Sequence, residues 1–283
     1  MYRLLIGLLG IILMASSSTY VDSIREWQQQ RDKSLRSPDG WLTLVGLFWL
    51  KPGDNTIGSA DSNDFVLPKG SAPEHAGKLH LDGDQVTFID ENGSSRPLHY
   101  KREEKPDVVQ VGSVSFFIIK RGDKLAVRAK DANSPALKHF TGMKYFPINP
   151  AFHFDAKFIP DSKKIPILNI LGQTEMQESP GIVEFTYEGK QYQLRPIYEG
   201  PTLFFLFKDP TNKVNTYQAG RMLNTPLPKD GHVDLDFNRS YNPPCTFTPY
   251  ATCPLPPKEN TLPFPVEAGE MRYGNGHAGY STP

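Results

Sequence analysis

Four arginines set among short apolar runs are the residues of this chain best suited to chemistry. Arg128 follows Ala126-Val127, Arg195 ends another run, Arg221 follows Ala219-Gly220, and Arg239 ends Asp236-Phe-Asn. A guanidinium at an inward strand position is costly unless paired, and its planar fork matches carboxylate or phosphate. With Asn238, Tyr241 and Asn242 beside Arg239, the set Arg128, Arg221, Asp236, Asn238, Arg239 and Asn242 reads as the binding site of a small anionic or polar ligand. The competing reading is internal ion pairing, because 31 Lys and Arg are matched by 31 Asp and Glu. A hydrolase reading would use Asp236, Glu267 or Glu270 as acid or base and Arg239 to stabilise developing negative charge. In a third reading, that of a structural envelope protein, the same residues only pack.

Other chemistries find less support. Asp234, Asp236 and Asn238 alternate and would project to one face of a strand, an oxygen-rich surface for a hard cation. Cys245 occupies the twelfth position counted from Asp234, where a calcium loop needs Glu, so a cluster of turn-forming side chains is the better account. The seven histidines show no HExxH spacing, and GxSxG, P-loop and GxGxxG signatures are absent. No metal and no cofactor is therefore expected. Equal numbers of cations and anions also argue against a nucleic-acid partner, since no excess charge exists to displace counterions.

The N-terminus indicates where such a protein works. Arg3 precedes an unbroken apolar stretch from Leu4 to Met14, and the small residues Ala15-Ser16-Ser17-Ser18 follow. That order predicts a signal peptide over residues 1–17 and a periplasmic or secreted protein; an uncleaved interfacial anchor is the alternative. The apolar stretch is too short to span a bilayer, which takes about 20 residues, and no integral membrane segment is expected in the mature chain. Export in turn favours a disulfide between Cys245 and Cys253, which lie in the proline-dense segment 242–257. A reactive thiol or a metal ligand pair are the alternatives.

These residues need a scaffold, and its pattern is β-rich. Thr19 to Leu35 reads as a helix, with Val21, Ile24 and Trp27 on one face and Pro38 beyond its end. From Gly40 onward short apolar or alternating runs are separated by turn signals. Val114–Lys120 and Leu125–Arg128 predict a hairpin turning at Gly122-Asp123, and Ile182–Tyr187 and Gln191–Leu194 predict another at Glu188-Gly189. Phe152, Phe154, Ala156 and Phe158 alternate with polar residues as in a half-buried strand. Leu203–Phe207 is apolar throughout, which predicts a strand covered on both faces. The turn-rich stretch Phe140–Pro150 suggests a boundary, with the tail after Asn242 wrapping the second half.

Several motifs in order resemble the bacterial and archaeal family named domain of unknown function 1684. They are Gly40–Leu50, Asn55–Gly58, Lys138–Pro147, Asp236–Arg239, and Asn242-Pro-Pro-Cys245 through Cys253-Pro, so the resemblance runs from about Trp27 to Glu270. It implies no activity. Within it Thr56-Ile-Gly58, Asn63–Leu67, Ser71 with His75, and Asp90–Ser94 resemble forkhead-associated domains, which are β-sandwiches that read phosphothreonine. Those domains usually place a phosphate-contacting Arg after the Ile-Gly, where this chain has Ser59, so the resemblance implies architecture. The expected organisation is mainly β: signal peptide 1–17, N-terminal helix 18–39, a forkhead-associated-like β-sandwich 40–145, and a second β-rich domain 146–283 with a proline-rich C-terminal tail.

Overall fold

The helical spacing of Val21, Ile24 and Trp27 is realised in helix α1, Tyr2–Arg36. It buries Ile24 and Leu35 and stops before Pro38, whose ring disfavours helical backbone in the preceding residue. The structure is a computed structural model that describes residues 2–101 and 105–274, with side chains described from Thr19 onward. The expected signal segment therefore falls on side chains outside the described residues. Among the described residues no helix is long and apolar enough to cross a membrane.

The chain forms two compact units. One comprises Leu35–Thr141 with Phe247–Thr252; the other takes the chain up to Ser34, Gly142–Thr246 and the stretch from Cys253. In the first, the described residues form nine strands in succession: β1 Leu44–Trp49, β2 Gly53–Gly58, β3 Phe65–Val66, β4 Gly77–Asp82, β5 Gln85–Ile89, β6 Ser95–Pro97, β7 Val109–Val111, β8 Val114–Arg121 and β9 Lys124–Asp131. They make two sheets, ordered β1-β9-β8-β7 and β3-β2-β4-β5-β6. Ile57, Leu79 and Phe88 from one sheet share a core with Phe116, Ile118, Leu125 and Val127 from the other, which is a β-sandwich. Strand alternation puts Leu125, Val127 and Ala129 in that core and turns Ala126, Arg128 and Lys130 to the opposite face.

The motif residues of the loop after β2 are held locally. Ser59 Oγ donates to the Ala72 carbonyl at 2.8 Å, Asn63 Nδ2 donates to the carbonyls of Ala60 and Glu74 at 2.8 Å, and Ser71 Oγ donates to Pro68 at 2.6 Å. These bonds satisfy loop carbonyls that no strand partner reaches.

The second unit continues with β10 His153–Leu168, β11 Thr174–Tyr187, β12 Lys190–Leu194, β13 Ile197–Glu199, β14 Thr202–Phe207, β15 Arg221–Pro226 and β16 His232–Asp236. Its sheets are β12-β11-β10-β16 and β13-β14-β15. The β11–β12 turn places Glu188 at φ 49° and Gly189 at φ 74°, the left-handed pair that a two-residue hairpin of this twist requires. On β14, Leu203, Phe205 and Phe207 enter the main core while Phe204 and Leu206 enter a smaller one, so the uninterrupted apolar run is covered on both faces. The proline-rich tail packs as short 3-10 turns. Leu255 N donates to Leu168 at 2.7 Å, and Asn260 caps the backbone of Arg195 and Leu206.

Candidate functional site

Asp236 ends β16, buried beneath α1. Its Oδ1 accepts from Tyr20 Oη at 3.0 Å, from Asn238 N at 3.0 Å and from Asn238 Nδ2 at 2.9 Å. Asn238 in turn exchanges bonds with Asn149, accepting its N–H at 2.8 Å and donating to its carbonyl at 2.9 Å. Burial first, and then the Asp236 carboxylate, push the Tyr20 hydroxyl well above the ordinary tyrosine range. Arg239 is the outlying member. Its side chain is 38 % exposed, with Nε 3.5 Å from Asp236 Oδ2. Its Nη2 lies 3.4 Å from Ser23 Oγ. This network ties α1 to the end of β16 and leaves one guanidinium facing outward.

Beside it, sequence reasoning missed two His–Asp pairs on the exposed face of β10 and β16. His153 bonds Asp234 and stacks on Tyr20 with ring centroids 5.0 Å apart, and His232 Nδ1 lies 2.9 Å from Asp155 Oδ1. Asp155 and Asp234 are direct cross-strand partners, so repeated His-x-Asp on two paired strands was the available signal. Among the described residues no group of three His, Cys, Asp or Glu is arranged to hold a metal ion.

Asn242 serves Glu270, another partnership invisible in sequence. Glu270 is fully buried: Oε1 accepts from Arg31 Nε at 2.8 Å, and Oε2 accepts from Asn242 N at 2.7 Å and Nδ2 at 2.9 Å. Burial alone would lower the Arg31 pKa, but Glu270 carries it above the ordinary value. Arg31 also lies 4.7 Å over the Tyr241 ring. Both Glu270 oxygens are thus engaged in positioning α1 against the tail.

Arg221 is enclosed with Asp209. Its Nη2 donates to Asp209 Oδ2 at 2.8 Å and to the Val266 carbonyl at 2.7 Å, and Nη1 donates to Ala268 at 2.5 Å. Desolvation nevertheless holds its pKa below the ordinary value. It lines a narrow, mostly apolar crevice with Leu206, Tyr217, Met222, Cys253 and Pro256. Cys253 is joined to Cys245 in a disulfide with Cα atoms 6.2 Å apart.

Arg128 belongs to the other unit and stands differently. It is 7 % exposed, and among the described residues its side chain has neither a hydrogen bond nor an ion pair; its Nε is buried without an acceptor. The Trp41 ring lies 5.6 Å from its Cζ. Desolvation, and next the like charge of Arg121, bring its pKa down from the ordinary arginine value to about 10, so it remains a cation at neutral pH. The six residues singled out from sequence therefore serve separate networks. Arg221, Asp236, Asn238 and Asn242 are committed to internal partners, Arg239 faces outward, and Arg128 is buried unpaired.

Comparison with known proteins adds a family without an activity. Residues 138–271 match the family model described as protein of unknown function (DUF1684). The Lys138–Pro147, Asp236–Arg239 and Asn242–Cys253 motifs fall within that match. Among solved structures, the chain is similar to the uncharacterized protein from gene locus rrnAC0354 of Haloarcula marismortui, solved in solution by NMR. The two share 28 % identity over 47 % of this chain and 78 % of that one, with a TM-score of 0.40. No curated protein matches.

Proposed function

We propose, from a family match that assigns no activity, that this chain is an exported binding protein for a small anionic ligand. The carrying observation is Arg128, a residue only 7 % exposed with no anion beside it among the described residues. Burying an unpaired charge costs several kcal/mol, so a fold that keeps one gains something by keeping it. A ligand anion supplies the missing partner, and the guanidinium fork offers it bidentate recognition.

Export is supported by the Leu4–Met14 apolar stretch with its small-residue boundary, and by the Cys245–Cys253 disulfide, which persists in oxidising compartments. In this reading Arg221, Asp236, Asn238 and Asn242 hold the scaffold, and Arg239 is a secondary contact for ligand. The forkhead-associated likeness of residues 40–145 contributes architecture only. Ser59 stands where those domains carry their phosphate-reading Arg and is spent on loop carbonyls.

Calorimetric titration of the full chain with acetate and inorganic phosphate tests the reading. Binding that disappears in Arg128→Met supports it; binding unchanged in that variant, or no binding by any anion, overturns it.

A further inference from the structure

Arg128 lies on the face of the β1-β9-β8-β7 sheet that turns away from the sandwich core, and its neighbours there are apolar. By register Leu47 on β1 and Phe117 on β8 flank it directly, and one pair further on Trp49 and Ile119 flank Ala126. Directly opposed residues share a face, so these side chains surround the guanidinium. Leu47, Trp49, Phe117 and Trp41 are each only half-buried.

Of the other cations of this face, Lys124 is exposed at the hairpin end opposite Arg121, and two are occupied. Lys130 Nζ is 3.0 Å from Asp39 Oδ1 and 5.4 Å from the Phe117 ring centroid. Arg121 Nε donates to Thr252 Oγ1 at 3.0 Å. Among the described residues Arg128 is thus the buried cation of this face without an anion, and Leu47 and Phe117 flank it.

We infer that the ligand is a small organic monocarboxylate with an apolar body. The inference rests on the reading of Arg128 as an anion site and names the ligand class. The carboxylate takes the Arg128 fork, and the hydrocarbon or aromatic part lies along Leu47, Phe117 and Trp41. A single charge matches a single cation, whereas a phosphate dianion would leave one charge uncompensated away from water. An inorganic anion would also leave the apolar flanks without a partner, while each methylene laid on them adds affinity.

The test is calorimetric titration of the full chain with acetate, butanoate, hexanoate and octanoate, with inorganic phosphate and octan-1-ol as controls. Affinity is expected to rise roughly threefold to fourfold per buried methylene. Phosphate and octanol should bind at least tenfold more weakly than octanoate, and Arg128→Met should lose octanoate. Acetate and phosphate binding as tightly as octanoate, and lost in Arg128→Met, would overturn the ligand class while leaving the anion site standing. Absence of binding by every anion overturns both. Octanoate binding that survives Arg128→Met, or that octanol equals, places the chain elsewhere and overturns the inference. Should Arg128→Met fail to fold by circular dichroism, Arg128→Lys decides. It keeps the charge and loses the fork, so octanoate should weaken at least tenfold, and an unchanged affinity overturns the assignment.

Discussion

Arg221 and Asp209 meet at 2.8 Å with neither side chain exposed, joined by the carbonyls of Val266 and Ala268 on the same guanidinium. Removing one member of such a pair strands the other charge in a dry environment. Arg221→Met or Asp209→Asn should each lower stability by about 3–5 kcal/mol in urea denaturation. The double variant Arg221→Met/Asp209→Asn should lose less than the sum of the singles, because no orphan charge remains. Additive losses would show that the two residues do not act as a pair.

Arg128 should behave in the opposite sense. With no partner to strand among the described residues, Arg128→Met should stabilise the ligand-free protein, by about 3 kcal/mol at most given a pKa lowered to about 10. The pH dependence has a fixed sign. Between the folded and unfolded values the unfolded chain holds a proton the folded chain has lost, so wild-type stability rises with pH there. Below pH 10 the penalty is constant. The advantage of Arg128→Met should therefore be flat from pH 7 to about 9 and shrink above 10, as read from denaturation midpoints of both proteins.

The Asp236 network predicts a contrast between two neighbours. Tyr20→Phe removes a donor from a buried carboxylate and should cost about 1–3 kcal/mol. Arg239→Lys alters a side chain 38 % exposed whose nearest carboxylate oxygen is 3.5 Å away, so stability should move by less than about 0.5 kcal/mol. Equal losses in thermal unfolding would mean that Arg239 is part of the buried network.

Cys245 and Cys253 close a short loop, and the chain-entropy account assigns such a bridge roughly 2–3 kcal/mol. Replacing both by Ala should lower the denaturation midpoint by that amount. Non-reducing mass spectrometry of the purified protein should show the linked peptide, and two alkylatable thiols would contradict it. N-terminal sequencing of the same sample should begin near Ser18; an intact Met1 in the cytosolic fraction would contradict export.

Local patterns were legible in the sequence because they depend on neighbours a few residues apart. The 3.6-residue spacing of Val21, Ile24 and Trp27, the Glu188-Gly189 turn and the two-sided burial of Leu203–Phe207 all follow from backbone geometry and side-chain type. So does the candidacy of the arginines, since a guanidinium in an apolar run must find an anion or go without. Which of these happens was decided by contacts across the fold. Glu270 reaches Arg31 across 239 positions and Asp236 reaches Tyr20 across 216, separations at which spacing carries no information. Arg221 and Arg128 look alike as strand arginines after small residues. Only the tertiary structure brings Asp209 to one and, among the described residues, no carboxylate to the other, because pairing of a buried charge depends on which distant strand or loop is folded against it.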